Sequence, residues 1–258
     1  MNIHGNTILI TGGATGIGYA LARVFVREQN TVIVCSRNEE HLRQAKKNLP
    51  QLQTRRCDLS QETEIAALYD WVVANFNDVN IVVNNAGIQR MIDFRKGPDD
   101  LLKYRVLDGE DEIDINFKAY VYLASYFIPD LLKKREAAIV NVSSGLGFVP
   151  MVIVPVYSAT KAAIHSFSVS LRHQLRETPI KVFEVIPPTV DTNLDQGARR
   201  QRGQSDRGIP PEEVADAVIL GIARDQYEIA VGQAQYLRSG AQQNFDQVFA
   251  AMNKANYG

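Results

Sequence analysis

Short β-branched runs alternate with longer helical stretches along almost the whole of this chain, and that alternation limits the possible folds more than any other feature. The strand candidates are Thr7–Thr11, Thr31–Ser36, Leu52–Cys57, Asn80–Val83, Ala138–Val142, Ile180–Ile186 and Glu228–Val231. Most are continuously apolar, as parallel strands are when both faces of their sheet are covered. Helix-length segments fill the gaps: Ile17–Glu28, Glu39–Leu49, Gln61–Asn75, Asp111–Lys134, Tyr157–Glu177 and Pro211–Ala223. Ser60 stands where it can cap the third of these, and Pro210-Pro211-Glu212-Glu213 opens the sixth. Repeated β-α-β units imply right-handed crossovers. The expected fold is therefore α/β, a doubly wound parallel sheet of about seven strands with helices on both faces. No repeat, low-complexity tract or linker divides residues 1–258, so one domain is expected.

Two segments exceed the usual βα connection, Ile88–Glu110 after the fourth strand and Thr189–Ile209 after the sixth. Long ordered loops at strand C-termini are where ligand sites collect, although either can be a solvated insertion. Composition excludes several function classes. With 28 Lys and Arg against 29 Asp and Glu, the net charge of -1 argues against phosphate neutralisation on nucleic acid and against a polybasic membrane surface. No run approaches a membrane span, and the strand beginning at Thr7 leaves no room for a signal peptide. Two cysteines, Cys35 and Cys57, do not make a disulfide scaffold, so a reducing cytoplasm is the simpler compartment. Four scattered histidines give no metal site.

Three constellations carry chemistry. The first strand runs into Thr11-Gly12-Gly13-Ala14-Thr15-Gly16-Ile17-Gly18 and then a helix. Glycines there let backbone N–H groups approach a pyrophosphate at the helix N-terminus, although tight packing alone can also require them. Asn84-Asn85-Ala86-Gly87 ends the fourth strand, where small residues pass beneath a ligand and the asparagines can tie neighbouring strands. Tyr157 and Lys161 share a helical face one turn apart. An ammonium near a phenol stabilises phenolate, lowering the tyrosine pKa from about 10 toward the range of a general acid–base. Ser143-Ser144 follows the fifth strand and Asn116 lies on the helix before it.

Taken in order, Thr11–Gly18, Asn84–Gly87, Asn116, Ser144 and Tyr157-x-x-x-Lys161 resemble the short-chain dehydrogenase/reductase family, from the first strand to about Ala223. Ser144 precedes Tyr157 by thirteen residues, as in typical members, which favours it over Ser143. The resemblance implies a Rossmann-like fold and an NAD(P)(H)-dependent exchange of alcohol and carbonyl. It makes Tyr157 the acid–base, Ser144 the residue that positions the substrate oxygen, Lys161 the ribose ligand that tunes Tyr157, and Asn116 the holder of a relay water. It also implies a cofactor site of Gly12, Thr15, Gly16, Ile17, Gly18, Ser36, Arg37, Asp58, Leu59, Asn85, Ala86, Gly87, Tyr157, Lys161, Pro187, Val190 and Thr192. Asn85-Ala86-Gly87-Ile88-Gln89, Val142–Leu146 with Phe148-Val149-Pro150, and Ser170–Leu175 look like the DltE-type members. Pro188 stands where many members have glycine, which changes the loop near the carboxamide. Gly232–Gly258 lacks the final strand of many tetrameric members.

Two further readings remain beside the enzyme. A silent NADP(H)-binding regulator or scaffold of the same fold commonly loses the tyrosine or lysine, both present here. A sugar-nucleotide epimerase or dehydratase is normally longer. The cofactor expected is NADP(H) over NAD(H). NAD-preferring folds place a carboxylate at the end of the second strand, where this chain has Ser36, Arg37 and Asn38 before Glu39. For the substrate, Phe148, Val149, Pro150, Met151 and Val152 offer an apolar wall for a medium-sized carbonyl. Arg199, Arg200, Arg202 and Arg207 offer an anion clamp, or simply a solvated face. A homodimer or higher homo-oligomer is expected, through Ala119, Ala124, Ala163, Phe167, Ser170 and Leu171 on two helices.

Overall fold

The computed structural model describes residues 1–108, 111–194 and 208–254. Seven strands form one parallel sheet: β1 (Thr7–Thr11), β2 (Thr31–Ser36), β3 (Gln53–Arg56), β4 (Val79–Asn84), β5 (Ala137–Val142), β6 (Ile180–Ile186) and β7 (Glu228–Ala230). Their spatial order is β3-β2-β1-β4-β5-β6-β7, with Ile8 opposite Val32 on one side and Ile81 on the other. Strand order reverses between β1 and β4, and the crevice outside the strand C-termini at such a reversal is where ligands bind in sheets of this kind.

Side-chain alternation sends each strand into two cores. Ile8 and Ile10 of β1 pack with Leu21 and Phe25 of α1 (Gly16–Arg27) and with Val218 of α7 (Pro211–Ala223). Leu9 points the other way, to Leu68 of α3 (Glu62–Asn75), Leu123 and Phe127 of α5 (Ala119–Leu131) and Leu171 of α6 (Pro155–Gln174). Helices on both faces explain why the inner strands read as unbroken apolar runs. β3 is the exception. Its core is Gln-Thr-Arg-Arg, shorter than the Leu52–Cys57 run, because it is an edge strand whose charged residues discourage pairing with another chain.

Several local expectations are corrected. Gln61, not Ser60, precedes the first turn of α3, because Ser60 is bound through its N–H and hydroxyl to the Asp58 carboxylate at 3.0 and 2.8 Å. The helix expected over Asp111–Lys134 is interrupted: Asp114–Lys118 is a π-turn leading into α5. The segment read as the loop Ile88–Glu110 carries a helix, α4 (Pro98–Asp108), opened by Pro98-Asp99-Asp100. The C-terminal part folds into α8 (Gln233–Gln243) and α9 (Phe245–Asn253), while α2 (Glu39–Asn48) is capped by Asn38 through His41 N–H at 3.0 Å. Ala119, Ala124 and Leu171, expected to face a second subunit, are buried inside the chain, leaving Ala163 and Phe167 half-buried and Ser170 exposed. Among the described residues no helix is long and apolar enough to cross a membrane, and Cys35 and Cys57 are free and buried.

Candidate active site

The cleft at the strand reversal has a volume of about 1000 Å³. Its floor is the glycine-rich turn. Gly12 and Gly16 have φ of 63° and 55°, where a side chain is strained. A Cβ on Gly12 would lie 2.9 Å from Ala86 Cα, and one on Gly18 would lie 2.4 Å from Gly12 O. Thr15 precedes α1 in extended conformation without capping it through its side chain, so the hydroxyl leaves the first-turn N–H groups to other acceptors. The turn is fixed to β4 by Thr11, whose hydroxyl accepts from the N–H groups of Asn85 and Ala86 at 2.9 and 3.1 Å. Asn85 Nδ2 returns a bond to Thr11 O at 2.9 Å. Asn84 Nδ2 reaches across to Asn141 Oδ1 at 2.9 Å, tying β4 to β5.

Of the residues predicted for cofactor and chemistry, all line this cleft except Gly18 and Asn116. Gly18 lies beneath the turn, packed on Gly12, and its role is closeness rather than contact. Asn116 is fully buried in the π-turn, where its amide clamps the chain after β4, accepting from Ile88 N–H at 2.8 Å and donating to Ile88 O at 2.9 Å. The π-turn widens the helix at this residue, a distortion that recurs at functional sites.

Ser144 and Tyr157 meet where β5 ends and α6 begins. The Ser144 hydroxyl accepts from Leu146 N–H at 3.1 Å, and Ser144 lines the cleft together with Tyr157. Lys161 Nζ, one turn along α6, donates to Val142 O at 2.8 Å and stands 5.6 Å from the Tyr157 ring centre. The acidity pattern differs from expectation. Burial pushes the Tyr157 phenol up to about 12, with the neighbouring Ser144 opposing and the Glu112 charge adding to the rise. Burial also pushes Lys161 down to about 7. Desolvation disfavours both charged forms.

The apolar wall is also corrected. Of the five residues assigned to it only Met151 lines the cleft; Val149 is in the core and the Phe148 ring packs 4.5 Å from that of His165. The wall is made instead by Ile88 and Met91 after β4, Ile153 and Val154 before α6, and Tyr236, Leu237, Val248 and Met252 from α8 and α9. Nothing in the sequence reading reached these C-terminal residues, although the recurrence of apolar residues at 234, 237, 248 and 252 is a helical signal. Arg199, Arg200, Arg202 and Arg207 lie outside the described residues. The ends of their loop are joined: Asp191 N–H donates to Ile209 O at 2.9 Å and Ile209 N–H to Thr189 O at 3.1 Å, which roots the loop at the cleft.

The chain belongs to the short chain dehydrogenase family, whose model matches residues 6–203. The chain is 45% identical over 253 residues to the uncharacterized oxidoreductase DltE of Bacillus subtilis, covering 98% of both. In three dimensions it is similar to a short chain dehydrogenase/reductase from Burkholderia phymatum in complex with NAD (TM-score 0.82, 20% identity, 98% and 97% covered). It is also similar to a serine dehydrogenase complexed with NADP+ (TM-score 0.76, 27% identity, 87% and 94% covered).

Proposed function

We propose that the protein is a single-domain NADP(H)-preferring oxidoreductase that interconverts an alcohol and a carbonyl. The observation that carries this reading is the meeting of Ser144, Tyr157 and Lys161 on one wall of a cleft whose floor is a glycine turn built for close approach. The donor set fits a nicotinamide dinucleotide: N–H groups at the start of α1 for pyrophosphate, Ser36 and Arg37 at the end of β2 for a 2′-phosphate, and Asp58 and Leu59 after β3 beside the base. Pro187, Val190 and Thr192, which line the cleft after β6, would hold the nicotinamide end. When bound, the cofactor supplies or accepts the hydride.

The protein's own residues do the rest. Ser144 fixes the substrate oxygen beside the phenol. In reduction Tyr157 donates a proton to that oxygen, and a phenol pushed up to about 12 holds its proton throughout the neutral range. In oxidation the phenol must give up charge-free burial, so a cationic Lys161 and the neighbouring Ser144 are the groups that favour phenolate. Asn116 holds the segment after β4 in place and borders the route by which a relay water reaches Lys161: a Cβ on Gly87 would touch both Asn116 Oδ1, at 3.3 Å, and Lys161 Nζ, at 3.6 Å. The cytoplasm suits two free thiols, and a homo-oligomer remains part of this reading. Incubation of Tyr157→Phe with NADPH and a carbonyl panel tests it. Turnover should fall about 10²–10⁴-fold with cofactor binding retained. Wild-type protein that binds NADPH and reduces nothing would instead support the regulator.

A further inference from the structure

We propose that the substrate is an uncharged carbonyl compound, or the matching alcohol, bearing an extended apolar substituent, and that α8 and α9 with the loops after β4 and β5 hold that substituent. The proposal takes its chemistry from the oxidoreductase reading above, and its binding surface from geometry independent of it. The chain has four methionines, and three of them, Met91, Met151 and Met252, line the cleft. They come from three segments far apart in sequence. Unbranched, polarisable side chains adapt to irregular apolar shapes, so their convergence on one cleft marks a surface for apolar ligand rather than for a fixed polar group.

Hydrogen bonds join the three segments to one another and to the π-turn. Ile92 N–H donates to Ile153 O at 3.2 Å. Asn253, buried at the end of α9, accepts from Val152 N–H at 2.9 Å and donates to Pro150 O at 3.1 Å. Glu112 accepts from Arg90 N–H at 2.9 Å, as Asn116 does from Ile88. These bonds satisfy the N–H groups of Ile88, Arg90, Ile92 and Val152 within the protein. Gly145 lets α8 close over Ser144, since a Cβ there would come within 2.8 Å of Leu237 Cδ1.

Charge is distributed accordingly. Among the described lining residues the charged ones are Arg37 and Asp58, at the ends of β2 and β3, and Lys161 beside Tyr157. None comes from the three methionine-bearing segments, so a substrate carboxylate seated there would be desolvated without a counter-charge from the described residues.

The test measures kcat/KM for straight-chain aldehydes of increasing length, for 2-keto acids of matching length and for L-serine in the reverse direction. In parallel, calorimetry follows straight-chain primary amides, which cannot be reduced by hydride here, binding to protein loaded with NADPH. Each added methylene should raise both kcat/KM and amide affinity about fourfold until the wall is filled. Met252→Lys should flatten both slopes while Met252→Leu preserves them. Preference for keto acids or serine, or aldehyde rates independent of length, overturns the apolar substrate class and leaves the oxidoreductase standing. Amide affinity that climbs with length while no carbonyl is reduced overturns the oxidoreductase and sustains the apolar site. Flat amide binding with no turnover overturns both.

Discussion

Removing the Ser143 hydroxyl should destabilise the protein by more than an ordinary hydrogen bond is worth. Ser143 Oγ donates to Glu184 Oε1 at 2.5 Å, and Glu184 is fully buried in the middle of β6. The other carboxylate oxygen, Oε2, meets Nδ1 of His165 at 2.8 Å. His165 follows Tyr157 and Lys161 on one face of α6, so the carboxylate joins the Ser143-Ser144 segment just after β5 to the helix that carries the phenol. Ser143→Ala leaves the buried carboxyl group with one partner. A hydrogen bond to a charged group contributes about 1.5–3 kcal/mol. For a chain of this length that corresponds to a fall in Tm of roughly 3–12 °C.

The same pair gives the effect a pH dependence. The Glu184 bond and charge raise the His165 pKa above its usual 6.5, burial opposing. The imidazolium therefore contributes stability that is full below about 6.5 and is lost as pH rises through the higher folded value. In Ser143→Ala the carboxylate depends on His165 alone, so the loss should be larger at pH 9 than at pH 6. Thermal unfolding followed by circular dichroism at both pH values measures it. A Tm within about 1 °C of wild type, against the several degrees expected, would refute the reasoning, as would additivity with Glu184→Gln in a double-mutant cycle.

Ser36→Asp with Arg37→Ile should reverse cofactor preference by roughly ten- to a hundredfold, read as the ratio of NADPH to NADH dissociation constants; equal wild-type affinities would remove the Arg37 argument. Glu112 is buried and pushed up to about 7, so its folded form holds a proton that the unfolded chain releases near 4.5, and stability falls as pH rises between those values. Glu112→Gln keeps an acceptor for Arg90 N–H and should recover at most ~3 kcal/mol at pH 8 in urea titrations, with no gain at pH 4; an unchanged pH slope would contradict it. Light scattering at micromolar concentration should give the mass of a dimer or larger assembly, and a monomer mass would overturn the homo-oligomer.

The sequence by itself determined the sheet and most residues of the cleft at its C-terminal edge. Strands buried on both faces must be continuous apolar runs, so β1, β2 and β6 could be bounded to the residue. Gly12, Gly16 and Gly18 were legible because backbone approach admits no side chain, and Tyr157 and Lys161 because a helical period of 3.6 puts residues four apart on one face. Tertiary structure decided what depends on neighbours distant in the chain. The acidity of Tyr157 depends on burial, which local spacing does not contain and which pushes the phenol up. The polar strand β3 needed its edge position to be explained. The apolar wall of the cleft needed α8 and α9, which are held there by Leu237 packing on Gly145 and by Asn253 bonding the loop after β5, about a hundred residues earlier. Local periodicity records which face of an element is apolar; only packing decides whether that face meets the core or a ligand.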